Sequence, residues 1–233
     1  MNEQDSISGV WREALAIIRR YPAAVVVPGA VLGALAEAPT YLIVDRLLLD
    51  QLLTYLAAAF AYYLYLAYAE GLTTDYERGE DLTASRSRLA RLLEAASFVP
   101  RVLVAALLSV SLATAATVLL VVPGVWLYTR WSLSTPVICK EDNMGSVSSL
   151  KRSSALVRGH FWFVLGTATL AFVSEEAAIH AGALVAGTIT GSHTWGEWVG
   201  GSIVAALAIP LSALTTSVAY SRVGKRSRPL EGS

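Results

Sequence analysis

Residues 123–138 read PGVWLYTRWSLSTPVI, sixteen residues with a single charge, Arg130. As a helix this stretch measures about 24 Å, a little under the roughly 30 Å hydrocarbon thickness of a bilayer. Whether it crosses a membrane sets the sidedness of everything after it. Of 18 Lys and Arg, 16 fall in four segments, 12–20, 78–101, 140–158 and 222–228. Segments rich in Lys and Arg stay on the cytoplasmic side. If 123–138 crosses, all four segments lie inside; if it does not, the last two lie outside. The charge pattern therefore predicts a crossing, six spans in all, and both chain ends in the cytoplasm.

Working outward, the other spans are expected at Pro22–Val44, from a turn at Asp45 and Arg46 to about Leu72, Leu103–Val122, Phe161–Thr188 and Ser202–Tyr220. The turn Gly191–Gly201 holds Trp195, Glu197 and Trp198 without a Lys or Arg, as an outside loop should. Composition points to the same class. Hydrophobic residues make up 55% of the 233 and charged residues only 15%, where a soluble domain has about a quarter charged. A formal net charge of zero argues against a nucleic-acid partner. The single cysteine, Cys139, excludes an intramolecular disulfide and is expected as a buried thiol. Glu3 and Asp5 stand where a signal peptide would carry basic residues, so none is expected.

Each pair of spans follows a basic amphipathic segment. The first sets Ile7, Val10, Trp11, Ala14, Leu15 and Ile18 on one stripe, with Arg12, Arg19 and Arg20 off it. The second sets Leu89, Leu92, Leu93 and Ala96 on one face, away from Arg86, Arg88 and Arg91. The third has Val147, Leu150, Ser154 and Val157 against Lys151, Arg152 and Arg158. Such helices lie in the interface, with cations toward anionic headgroups. The expected fold is thus all-α, a polytopic membrane bundle of six spans built as three repeats of interfacial helix plus hairpin. One membrane domain covers 1–233, with repeats at about 6–72, 82–138 and 145–222 and a short basic tail at 223–233. Ser8, Ser85 and Ser146 open the units. Gly29 and Gly33 form a GxxxG pair suited to close helix approach.

A family resemblance runs through the second half. The residues that carry it are Pro123-Gly124-Val125-Trp126-Leu127, Arg130-Trp131, Leu133 and Pro136-Val137-Ile138, then Ser149-Leu150-Lys151-Arg152-Ser153, Leu156-Val157-Arg158-Gly159 and Phe161-Trp162. Together they resemble the membrane domain of some bacterial glycerophosphoryl diester phosphodiesterases and related stand-alone prokaryotic membrane proteins. The resemblance implies an all-helical, multi-span module. It does not imply phosphodiesterase activity, which belongs to a separate barrel domain with a His-Arg dipeptide that this chain lacks. On their own physics, Pro123-Gly124 should turn tightly, Pro136 should kink the short span, and Gly159 should end the basic helix.

Ionisable groups at membrane depth are costly and face the bundle or a wet cavity. Five qualify: Glu37, Arg130, Glu175, Glu176 and His180. Aligning Tyr21-Pro22 with His160-Phe161 places Glu37 and Glu176 at equal depth, and Glu176 and His180 share a helix face. Three arrangements are open to them. They form structural pairs centred on Arg130; they line a polar cavity with some of Tyr55, Tyr62, Tyr63, Tyr65 and Tyr68; or the carboxylates and His180 hold zinc. No catalytic signature and no cofactor are expected. The leading expectation for function is a non-catalytic scaffold or accessory module of the cell membrane, in contact with anionic inner-leaflet lipids and with a protein partner or a second copy. A small-molecule transporter or permease is the alternative, and an intramembrane metal-dependent hydrolase the third.

Overall fold

The computed structural model describes residues 6–42, 48–80, 82, 88–141, 144–192 and 194–227. Asp45, Arg46, Ser85, Arg86, His193 and the last six residues of the expected tail lie outside them. The described chain is all-helical: α1 (Ile7–Arg20), α2 (Pro22–Leu42), α3 (Leu48–Glu77), α4 (Arg88–Leu119), α5 (Val121–Trp131), α6 (Ser134–Lys140), α7 (Ser146–Arg158), α8 (Phe161–Thr190) and α9 (Trp195–Ser227). Among the described residues three helices are long and apolar enough to cross a membrane: Arg88–Leu119, Phe161–Thr190 and Trp195–Lys225. A fourth candidate is the pair α1 and α2, which bends by 96° at its break. Tyr21 caps α1 there, and Pro22, with no N–H to lose, starts α2.

The helices are apolar on their outward faces. Val27, Val31 and Leu35 on α2, and Val199, Ile203 and Leu207 on α9, repeat at helical spacing and are 45–66% exposed. Helices apolar all round belong in a core or in lipid. Polar groups go the other way, since Glu70, Thr73, Thr129, Thr167, Glu175, Thr215 and Ser217 are all buried.

Small residues set the closest approaches. A Cβ on Gly200 of α9 would collide with the Gly182 carbonyl and with Ala186 on α8. One on Gly29 of α2 would sit 2.7 Å from Pro210 Cγ and 3.2 Å from the Ala206 carbonyl on α9. Gly33 faces Ala205 and Ile209 of the same helix, so the Gly29/Gly33 pair receives α9. Prolines leave carbonyls that other helices satisfy. Pro28 has no N–H for the Ala24 carbonyl one turn back, and the Tyr68 hydroxyl of α3 donates to that oxygen at 2.7 Å. Tyr65 donates to the Val25 carbonyl at 3.1 Å.

The middle of the chain departs from the expected repeat in three ways. The second amphipathic segment is not a separate helix; it runs through Pro100 into the third apolar stretch as one 32-residue helix, α4. Its faces also differ from expectation, for Leu89 and Leu93 are about two-thirds exposed while Arg91 is buried. Arg91 turns inward because Asp75 waits there, at 3.0 Å from its Nε, and the Leu82 carbonyl accepts from its Nη1.

The 123–138 stretch is two helices. The α4–α5 turn is a single extended residue, Leu120, and folds tightly because Gly124 lies against Thr117, where a Cβ would be 2.8 Å from Thr117 Cα. Pro136 cannot donate to the Ser132 carbonyl, so α5 stops at Trp131 and α6 restarts with Pro136 in its first turn. The Arg130 carbonyl, left without a helical partner, accepts from Ser153 of α7 at 2.7 Å. That contact rotates α7 from the expected stripe: Ser149 and Ser153 are buried beside Leu150 and Val157, and Val147 is exposed.

Candidate functional site

Four helix ends meet at the basic end of the bundle: those of α3, α6 and α9 and the start of α4. Their ions pair extensively. Arg91 binds Asp75, Arg222 binds Glu13 at 2.6 Å, and Arg152 reaches both oxygens of Glu141 at 3.1 Å. Tyr220 donates to Glu141 at 2.9 Å.

Deeper in lies a network on Glu70 of α3. Its carboxylate is 4% exposed and accepts from Ser217 at 2.5 Å. Lys140, the last residue of α6, places its ammonium 3.4 Å from the same oxygen. The same nitrogen lies 2.9 Å from Ser217 Oγ and 3.3 Å from Ser221 Oγ. Thr73 closes the network through a short contact with Ser217. Burying an ion pair costs several kcal/mol of desolvation per ion, which close geometry and added hydrogen bonds must offset. The hydroxyls supply those bonds.

Two cavities flank this pair. A central one of about 170 Å³ lies among α3, α4, α5, α6, α8 and α9, with Glu70 in its wall at the basic end. Glu175 of α8 also faces it, within reach of the Ser212 and Tyr62 hydroxyls. Among the described residues nine lining side chains carry hydroxyls, Trp131 adds an aromatic wall, and no Lys, Arg or His lines the space. A second cavity, of about 370 Å³, opens at the basic end and is lined by Tyr68, Asp75, Arg78, Arg91, Cys139 and Lys140 among others. Glu70 therefore belongs to the first cavity and its partner Lys140 to the second. Burial pushes the Cys139 thiol well above its ordinary range, and the nearby Glu70 carboxylate adds to the effect.

The five sequence candidates divide. Glu175 is 5% exposed and faces the central cavity. Glu37 is half-buried on α2. Glu176 and His180 are largely exposed on α8, 3.7 Å apart. Arg130 sits apart from the carboxylates, with its guanidinium 4.4 Å from the centre of the Trp126 ring and its buried Nε without a hydrogen-bond partner. Of the tyrosines, Tyr62 and Tyr63 line the central cavity, Tyr65 and Tyr68 brace α2, and Tyr55 is exposed. Among the described residues no three of His, Cys, Asp and Glu gather as a metal site requires.

Sequence reading missed Glu70 and Lys140 because both fall at span ends, where charges are ordinary. The available signal was on α9, where Ser217 and Ser221 stand four residues apart and so share one face of an otherwise apolar helix. Comparison with known protein families, with characterised proteins and with solved structures finds no match.

Proposed function

We propose that this is a multi-pass protein of the cell membrane, with six spans and both ends cytoplasmic, that binds a small organic cation in its central cavity as a permease does. The lining of that cavity carries the reading. It joins Glu175 and the Lys140-paired Glu70 to nine hydroxyl-bearing side chains, and among the described residues no Lys, Arg or His lines it. Its volume of about 170 Å³, below the roughly 300–1,000 Å³ of drug-sized sites, suits a solute of a few heavy atoms. A carboxylate buried in mid-span, as Glu175 is, marks an ion or substrate pathway, and tyrosine and tryptophan faces attract cations.

The six-span reading draws support from the helix ends. Chain leaving the basic end through α4 is back there at Lys140, which touches Glu70 and Ser217. Residues 103–138 therefore go out and return. The resemblance of residues 123–162 to the membrane domain of glycerophosphoryl diester phosphodiesterases fits the same architecture and brings no activity with it. Arg19 and Arg20 are exposed on α1 while Val10, Ala14 and Ile17 are buried. That division suits contact with anionic inner-leaflet lipids.

A scaffold role is the second reading. It is favoured by the paired state of the basic end, where Arg91, Lys140, Arg152 and Arg222 all meet carboxylates.

Thermal unfolding of the full chain in nanodiscs with methylammonium chloride separates the two readings, with sodium chloride at equal ionic strength as control. Binding to the folded state stabilises by RT ln(1 + [L]/Kd), about 2.7 kcal/mol at 100 Kd. Methylammonium should raise the Tm of the wild type, and the near-isosteric Glu175→Gln should respond much less. Equal responses from the two proteins, or none from either, would refute the permease reading and leave the scaffold.

A further inference from the structure

Lys140 meets three acceptors with three donors. An ammonium carries three N–H groups and no acceptor, and here Ser217 Oγ, Ser221 Oγ and Glu70 Oε2 lie at 2.9, 3.3 and 3.4 Å from Nζ. The Tyr220 ring, 5.7 Å away, adds an aromatic face. Each partner is held by something else. Ser217 donates to Glu70, and Ser221 donates to the Ser217 carbonyl one turn back. Thr73, in contact with Ser217, is fixed by the Ala69 and Glu70 carbonyls. The pocket is therefore shaped for an ammonium headgroup, and the group that fills it comes from the end of a seven-residue helix.

Its position gives the pocket a second consequence. Glu70 forms part of the wall of the central cavity, and Lys140 part of the wall of the basic-end cavity. Their contact thus joins a wall of one space to a wall of the other. With Lys140 withdrawn, the Glu70 carboxylate would face both.

We propose that Glu70, Ser217 and Ser221 form a binding site for a primary ammonium, occupied in this structure by Lys140, which thereby closes the passage between the two cavities until a solute ammonium takes its place. The inference rests on the permease reading for its solute, but the site is tested separately. Glu175 plays no part in it, and Glu70 with its serines recognises the ammonium whether or not Glu175 binds a cation farther up.

Two substitutions empty the site without removing its acceptors. Lys140→Met keeps the aliphatic stem and leaves a hole the size of an ammonium ion; Lys140→Ala leaves room for methylammonium. Each is compared with the same change made together with Glu70→Gln, by thermal unfolding of the full chain in nanodiscs. Ammonium chloride should stabilise K140M, and methylammonium chloride K140A, with an apparent affinity at least about tenfold tighter than in the Glu70→Gln partners, a difference of one charge-assisted hydrogen bond. Tetramethylammonium, which has no N–H to donate, should stabilise neither. If K140A does not fold alone, its yield of folded protein with and without methylammonium serves as the readout, and K140M carries the affinity comparison. Equal stabilisation with and without Glu70, or equal stabilisation by tetramethylammonium, would overturn the site. Glu70-dependent rescue without any Glu175-dependent binding in the wild type would keep the site and remove the permease. The reverse pattern would remove only the site.

Discussion

Replacing Tyr68 by Phe removes one oxygen from a residue that is 1% exposed, and its consequence depends on a proline forty residues earlier. Pro28 cannot donate to the Ala24 carbonyl, so the Tyr68 hydroxyl, 2.7 Å away, is the donor in its place. Tyr68→Phe leaves that buried acceptor without the bond, at a cost of about 1–2 kcal/mol, within the range for an unsatisfied buried group. Interhelical bonds measured within a membrane average about 0.6 kcal/mol and reach about 1.7 at most, which sets the upper bound on the expected cost. Pro28→Ala restores the N–H within α2, so the same Tyr68→Phe change should then cost less than about 0.5 kcal/mol, the residue of lost packing alone. The difference is a coupling energy that a double-mutant cycle isolates. Reversible unfolding in mixed micelles, titrated with a denaturing detergent, measures all four corners. Equal costs in the two backgrounds would refute the argument that the tyrosine substitutes for the proline's missing donor.

Gly200→Leu forces a side chain into the Gly182 carbonyl and Ala186, and unfolding should show a loss of about 1–3 kcal/mol or more, the usual cost of overpacking. Arg91→Ala strands Asp75 beside a side chain that was 2% exposed; the same assay should register about 3–5 kcal/mol, and the double change Asp75→Asn with Arg91→Gln clearly less. A topology reporter fused after Gly191 should face outside and one after Ser227 inside; the opposite result at either position would end the six-span reading.

The helical class was open to sequence reading because the apolar runs are long and their breaks are marked by Pro and Gly. Gly29 and Gly33 were recognisable as a docking stripe, and α9 lies on it. The cavity was visible in part, through Glu175, Tyr62 and Tyr63. What periodicity does not encode is which face of an amphipathic helix its neighbours require. Arg91 reads as a surface cation until Asp75 is placed beside it, and nothing in the stripe of α7 singles out Ser153 until α5 breaks and leaves the Arg130 carbonyl open. Arg130 was expected among carboxylates on grounds of charge; it instead lies over Trp126, one turn back on α5. Glu70 and Lys140 are 70 residues apart in sequence, and only the return of α6 to the end of α3 joins them.

The central claim is that the cavity between Glu70 and Glu175 accepts a small organic cation in the membrane. Uptake of radiolabelled methylammonium into proteoliposomes containing the full chain, driven by an inside-negative potential, tests it most directly. The account predicts saturable uptake above that of protein-free vesicles, abolished or strongly reduced by Glu175→Gln. Uptake indistinguishable from empty vesicles, or unchanged by Glu175→Gln, would contradict it.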